Sequence, residues 1–67
     1  MKVRVIYRSQ IKELEFDGEK IRVVDLLKAL GLSRDHAFVI KRDEILEEKQ
    51  FIGDGEEVRV INAISGG

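Results

Sequence analysis

In Val23-Val24-Asp25-Leu26-Leu27-Lys28-Ala29-Leu30-Gly31-Leu32 the apolar residues Val23, Leu26, Leu27 and Leu30 recur at i, i+3, i+4 and i+7. That spacing gathers them into one stripe along an α-helix and turns Asp25, Lys28 and Ala29 elsewhere. Asp25 in the first turn suits the positive end of the helix dipole, and Gly31 suits the left-handed position that stops a helix. A helix of about two turns does not persist alone in water. Its apolar stripe therefore needs a sheet to lie on, and the flanking segments supply one.

Upstream, Lys2–Tyr7 alternates so that Val3, Val5 and Tyr7 share one face at the two-residue period of a strand. After the polar break Arg8-Ser9-Gln10, residues 11–16 alternate again, with Leu14 and Phe16 on one side and Glu13 and Glu15 on the other, which completes a hairpin. Asp17-Gly18-Glu19-Lys20 reads as a turn. Downstream, Ala37–Lys41 is an apolar run expected to form a third strand, Arg42-Asp43 a turn, and Glu44–Leu46 a short edge strand. Residues 47–52 have no clean period and read as a loop with a helical turn, from which Phe51 or Ile52 plugs the core. Gly53-Asp54-Gly55-Glu56 is the strongest turn signal, and residues 57–61 form the last strand with Val58 and Val60 inward.

Composition narrows the function. Sixty-seven residues make one domain near the lower size limit for folding without staples. The absence of cysteine removes disulfides, thiolate metal sites and a cysteine nucleophile together. Twelve Lys and Arg against thirteen Asp and Glu, interspersed, give a formal charge of -1, so no basic nucleic-acid footprint is present. No apolar run approaches the roughly 20 residues that span a bilayer, and Met1-Lys2-Val3-Arg4 does not open a signal peptide. The expectation is a cytoplasmic protein that contacts neither membrane nor nucleic acid directly.

No catalytic constellation stands out. Ser9, Ser33 and Ser65 lack a histidine at a suggestive distance, and the single His36 lies in a polar connection. Glu13 with Glu15 and Glu47 with Glu48 read as solvated faces, and Gly53 to Gly55 lacks the lysine and following helix of a phosphate loop. The expectation is a protein that is not an enzyme and has no catalytic residue, no metal and no bound cofactor. Strand parity adds one candidate site. With Val3, Val5, Leu14, Phe16, Val39, Val58 and Val60 facing the helix, Ile6, Phe38, Ile40 and Ile61 point the other way, with Arg4 and Arg59 at the edge, as a patch for a partner protein.

The remaining stretch, Ile61-Asn62-Ala63-Ile64-Ser65-Gly66-Gly67, leaves the last strand and closes on two glycines. The division expected is a folded domain over 1–61 and a flexible tail over 62–67. Three pieces together, Val23 to Leu32, Asp54-Gly55-Glu56-Glu57-Val58 and Val60 to Gly67, resemble the ThiS/MoaD family of ubiquitin-like sulfur carriers, which includes archaeal small modifier proteins. The resemblance covers essentially the whole chain and departs from many thiamin-pathway members in having Arg42-Asp43 where they have an Asn-Gly turn. It implies an α+β, β-grasp (ubiquitin-like) fold, a mixed sheet of four or five strands packed on one short helix. It also implies that Gly67, reached through Gly66, carries the chemistry. An adenylyltransferase of the ubiquitin-activating type would use ATP to form an acyl-adenylate on Gly67, and a sulfur donor enzyme would convert it to a thiocarboxylate. An acceptor enzyme such as a thiazole synthase or a tRNA thiolase would then take the sulfur from the monomeric carrier. Two further readings stay open: a protein modifier joined to lysines through Gly67, and an interaction module whose glycines are incidental.

Overall fold

The computed structural model describes residues 1–63. In chain order the elements are β1 (Lys2–Tyr7), β2 (Gln10–Glu15), β3 (Lys20–Arg22), α1 (Val23–Ala29), β4 (Ala37–Lys41), β5 (Glu44–Leu46), β6 (Phe51–Gly53) and β7 (Glu57–Asn62). The main sheet has the spatial order β2-β1-β7-β4-β5, while β3 and β6 form a separate two-stranded ribbon. Within the main sheet β1 and β7 run parallel and the other neighbours antiparallel, so the sheet is mixed. A parallel pair needs a long crossover, and the crossover between β1 and β7 contains the helix. This is a β-grasp.

The core forms where the helical stripe meets the inward strand residues. Val23, Leu26 and Leu27 from α1 are buried with Val3, Val5, Val39, Val58 and Val60 from the sheet, and Ala37 and Ile52 complete the cluster. Burial of each Leu or Val stabilises by roughly 1.5–3 kcal/mol, enough together to hold a helix that propensity alone would not. Leu14 and Phe16 face the same way but stay half-buried, because β2 is an edge strand.

Both ends of α1 are closed by backbone groups. Arg22 at the N-cap supplies no side-chain bond; instead the Val23 and Val24 N–H groups donate to the Gln50 and Glu48 carbonyls at 2.9 and 3.0 Å. At the other end Leu32 N–H donates to the Leu27 carbonyl at 2.8 Å and Gly31 N–H to that of Lys28 at 3.0 Å, the two bonds of a Schellman motif. Gly31 takes the positive φ of 74° that this motif requires.

Four sequence expectations change. The helix ends at Ala29, with Leu30 as its C-cap. Lys20, expected in a turn, begins β3, and the segment read as loop with a helical turn contains β6; the two pair antiparallel with Ile21 opposite Ile52. Each ribbon strand is three residues long, too short to show a period. Ile52 is the core plug, whereas Phe51 is exposed beneath Lys20 and Arg22, whose cationic groups lie 4.3 and 5.1 Å from its ring centroid. Finally, β7 runs to Asn62, one residue past the expected end, and Ala63 N–H donates to the His36 carbonyl.

Both two-residue hairpin turns lack glycine. Arg8 and Ser9 have φ of 51° and 63°, and Arg42 and Asp43 have φ of 51° and 66°, the sign pattern of a type I′ turn. Side chains with a Cβ are strained there. The double substitution Arg42→Asn with Asp43→Gly is expected to raise the unfolding free energy by about 1 kcal/mol, read by urea denaturation.

Glu56 locks the turn that leads into β7. Its Oε1 accepts the Gly53 N–H at 3.2 Å and its Oε2 faces the Lys41 ammonium in an ion pair. Lys41 holds the carboxyl below its ordinary value of 4.5, with burial opposing. A depressed folded-state pKa contributes stability that is present above the unfolded value and lost as pH falls through the folded one. Glu56→Gln is therefore expected to lower stability by about 1 kcal/mol at neutral pH. The deficit against the parent chain should shrink below pH 4.5 and vanish once the parent carboxyl is protonated in the folded state, as followed by denaturation across an acid series.

Candidate functional site

The helix covers one face of the main sheet and leaves the other open, and strand register orders the residues on that open face into rows. One row crosses all five strands: Ile11 opposite Ile6, Ile6 beside Arg59, Arg59 opposite Ile40, and Ile40 opposite Ile45. Next to it lies a charged row, Glu13, Arg4 and Glu57. The Arg4 guanidinium is 3.3 Å from the Glu13 carboxylate and 3.8 Å from that of Glu57, so its charge is met on both sides. On the other side, toward the end of β7, Phe38 stands opposite Ile61. Along β7 the face thus passes from charged to mixed to apolar as it approaches Ala63.

Every residue expected in the patch is on this face: Ile6, Phe38, Ile40 and Ile61 are half-buried, and Arg4 and Arg59 are exposed. Two details depart from the expectation. Arg59 sits in the middle of the apolar row and not at its edge, because β7 is the central strand. Arg4 belongs to the charged row. Ile6, Ile40, Arg42, Asp43, Glu57 and Arg59 border a shallow depression beside the central strand.

The sequence reading missed Ile11 and Ile45, each 66% exposed, which extend the row to both sheet edges. For Ile11 the signal was present, since it has the parity of Glu13 and Glu15 in an alternating strand. For Ile45 it was not: three residues of β5 fix no parity until β4 pairs with them. Side chains this exposed add little to stability. Ile11→Thr and Ile45→Thr, which keep a β-branched residue, are each expected to change the unfolding free energy by less than about 0.5 kcal/mol; thermal melts of the single and double variants check this.

Three of the four carboxylates in the two runs, Glu13, Glu15 and Glu48, are ion-paired. Glu15 lies 3.7 Å from Lys2, and Glu48 lies 3.0 Å from Arg34. His36 is exposed, in a turn closed by the His36 N–H donating to the Ser33 carbonyl at 3.1 Å. Among the described residues no three His, Cys, Asp or Glu side chains are grouped to hold a metal ion, and no helix is long and apolar enough to cross a membrane. Gly66 and Gly67 lie outside the described residues.

Comparison with solved structures agrees with this geometry. Thiamine biosynthesis protein ThiS from Geobacter metallireducens superimposes with a TM-score of 0.68 at 27% identity, with 100% of each chain covered. The chain has a ThiS-like, ubiquitin-type fold. ATBAG1, solved in complex with HSP70, superimposes with a TM-score of 0.77 at 18% identity over 92% of this chain. This chain spans 40% of that protein's length, and the likeness concerns the β-grasp alone. No protein-family model matches the sequence.

Proposed function

We propose that this β-grasp is a sulfur carrier, with Gly67 as the group that is activated and loaded. The observation that carries the reading is the likeness to ThiS along the full length of both chains. A free carboxylate is a poor electrophile. An ATP-dependent enzyme of the ubiquitin-activating type would join the Gly67 carboxylate to the α-phosphorus of ATP with release of pyrophosphate, and the acyl-phosphate anhydride so formed has AMP as its leaving group. The outer sulfur of a persulfide donor attacks the acyl carbon and displaces AMP, leaving an acyl disulfide; a thiol then cleaves the S–S bond reductively, and the thiocarboxylate released is a softer and stronger nucleophile than the carboxylate it replaces. An acceptor enzyme, a thiazole synthase or a tRNA thiolase, would consume it. In this role the chain is cargo-bearing and monomeric in the cytoplasm, ATP belongs to the partner, and the open face with Ile6, Phe38, Ile40 and Ile61 is where the activating enzyme docks.

The test is to incubate the purified protein with its activating enzyme, ATP, a persulfide donor and a thiol reductant, and to weigh it intact. The expected result is a mass increase equal to sulfur replacing one oxygen, confined to the C-terminal peptide. An unchanged mass defeats the proposal, and lysine-linked conjugates bearing the terminal glycine in its place would make the chain a protein modifier. Ile6→Asp with Phe38→Asp is expected to abolish adenylation while circular dichroism keeps the β-grasp signature, because a carboxylate at either position has to be desolvated when the face is covered. Unchanged adenylation by that variant removes the open face from the reading.

A further inference from the structure

The cation at the centre of the open face makes no ion pair among the described residues. In the row Ile11, Ile6, Arg59, Ile40, Ile45, each residue comes from one strand in the spatial order of the sheet, so Arg59 has two isoleucines on either side. Arg4 in the neighbouring row is neutralised by Glu13 and Glu57. Arg59 is different: among the described residues it makes no ion pair, although Asp43 and Glu57 border the same depression.

A partner that covers the four isoleucines also strips water from the guanidinium between them. A desolvated charge without a counter-charge is strongly unfavourable, and the planar fork of arginine matches a carboxylate in two parallel hydrogen bonds. We infer that the partner surface fitting this face is apolar with one carboxylate at its centre, held by Arg59, and that Arg59 is the residue by which this chain selects its partner. A second copy of the chain is the wrong occupant. A two-fold interface presents the same patch from both sides, and one centred on this row would bring the two Arg59 guanidiniums together.

The inference rests on the reading that an adenylating enzyme docks on the open face, and that enzyme is the probe. It is titrated calorimetrically with the full chain and with Arg59→Lys, Arg59→Gln and Arg59→Glu, and the KM for adenylation is measured for each. The expected order is a loss of affinity of about 5-fold for Lys, which keeps the charge but not the fork, and about 100-fold or more for Glu, with Gln between. KM should rise in the same order. Changing the facing carboxylate of the enzyme to arginine should restore binding of Arg59→Glu. Arg59→Glu binding within about 2-fold of the parent chain overturns the inference, as does a parent chain that sediments as a dimer dissociated by Arg59→Glu. Failure of the carrier reading looks different: the parent chain itself is then neither bound nor adenylated, and both proposals fall together.

Discussion

A helix of seven residues in water has more unsatisfied backbone groups than internal hydrogen bonds, and the architecture of this protein is the set of contacts that compensates for that. The Leu26 and Leu27 side chains find their apolar environment on the valines of three central strands. The first two N–H groups of the helix find carbonyls in the segment 48–50. That second requirement explains the small ribbon. By pairing with β3, β6 draws the chain back past the start of the helix, which places the Gln50 and Glu48 carbonyls where a side-chain cap would otherwise be needed. Ile52, next in sequence to the exposed Phe51, is buried by the same fold-back.

One helix and a five-stranded sheet leave a face uncovered, and the alternation of strands makes that face as deliberate as the core. The parity that puts Val58 and Val60 inward puts Glu57, Arg59 and Ile61 outward. Because β7 is the central strand, these three residues form the spine of the open face, and the neighbouring strands add a charged, a mixed and an apolar row to it. The apolar end lies next to Ala63, whose N–H donates to the His36 carbonyl.

Electrostatics on this surface is mostly local. Lys2, Arg4, Arg34 and Lys41 each have a carboxylate within 4.0 Å, and pairs this exposed contribute little to stability. The Lys41–Glu56 pair is the less exposed exception, and it closes the turn into β7. Arg59 gains its interest by contrast with these.

The sequence by itself determined the main strands and the helix from which the β-grasp is built. Period two in residues 2–7 and 57–61, period 3.6 in 23–30 and glycines at 31, 53 and 55 are properties of neighbouring residues, and local sterics plus apolar burial turn them directly into strands, helix and turns. Parity along each strand grouped Phe38 with Ile40 and set Ile6 and Ile61 apart from their valine neighbours, but that all four share one face was settled by the pairing of β1 and β4 with β7. Only the tertiary structure decided what depends on pairing between distant segments. The three-residue strands β3 and β6 exist because each satisfies the other's backbone, not because either has a period of its own. The choice of Ile52 over Phe51 as core residue follows from the register of that ribbon. Arg59 is central because β7 pairs with β1 on one side and β4 on the other, and strand order is a fact about which edges meet, which no local pattern encodes.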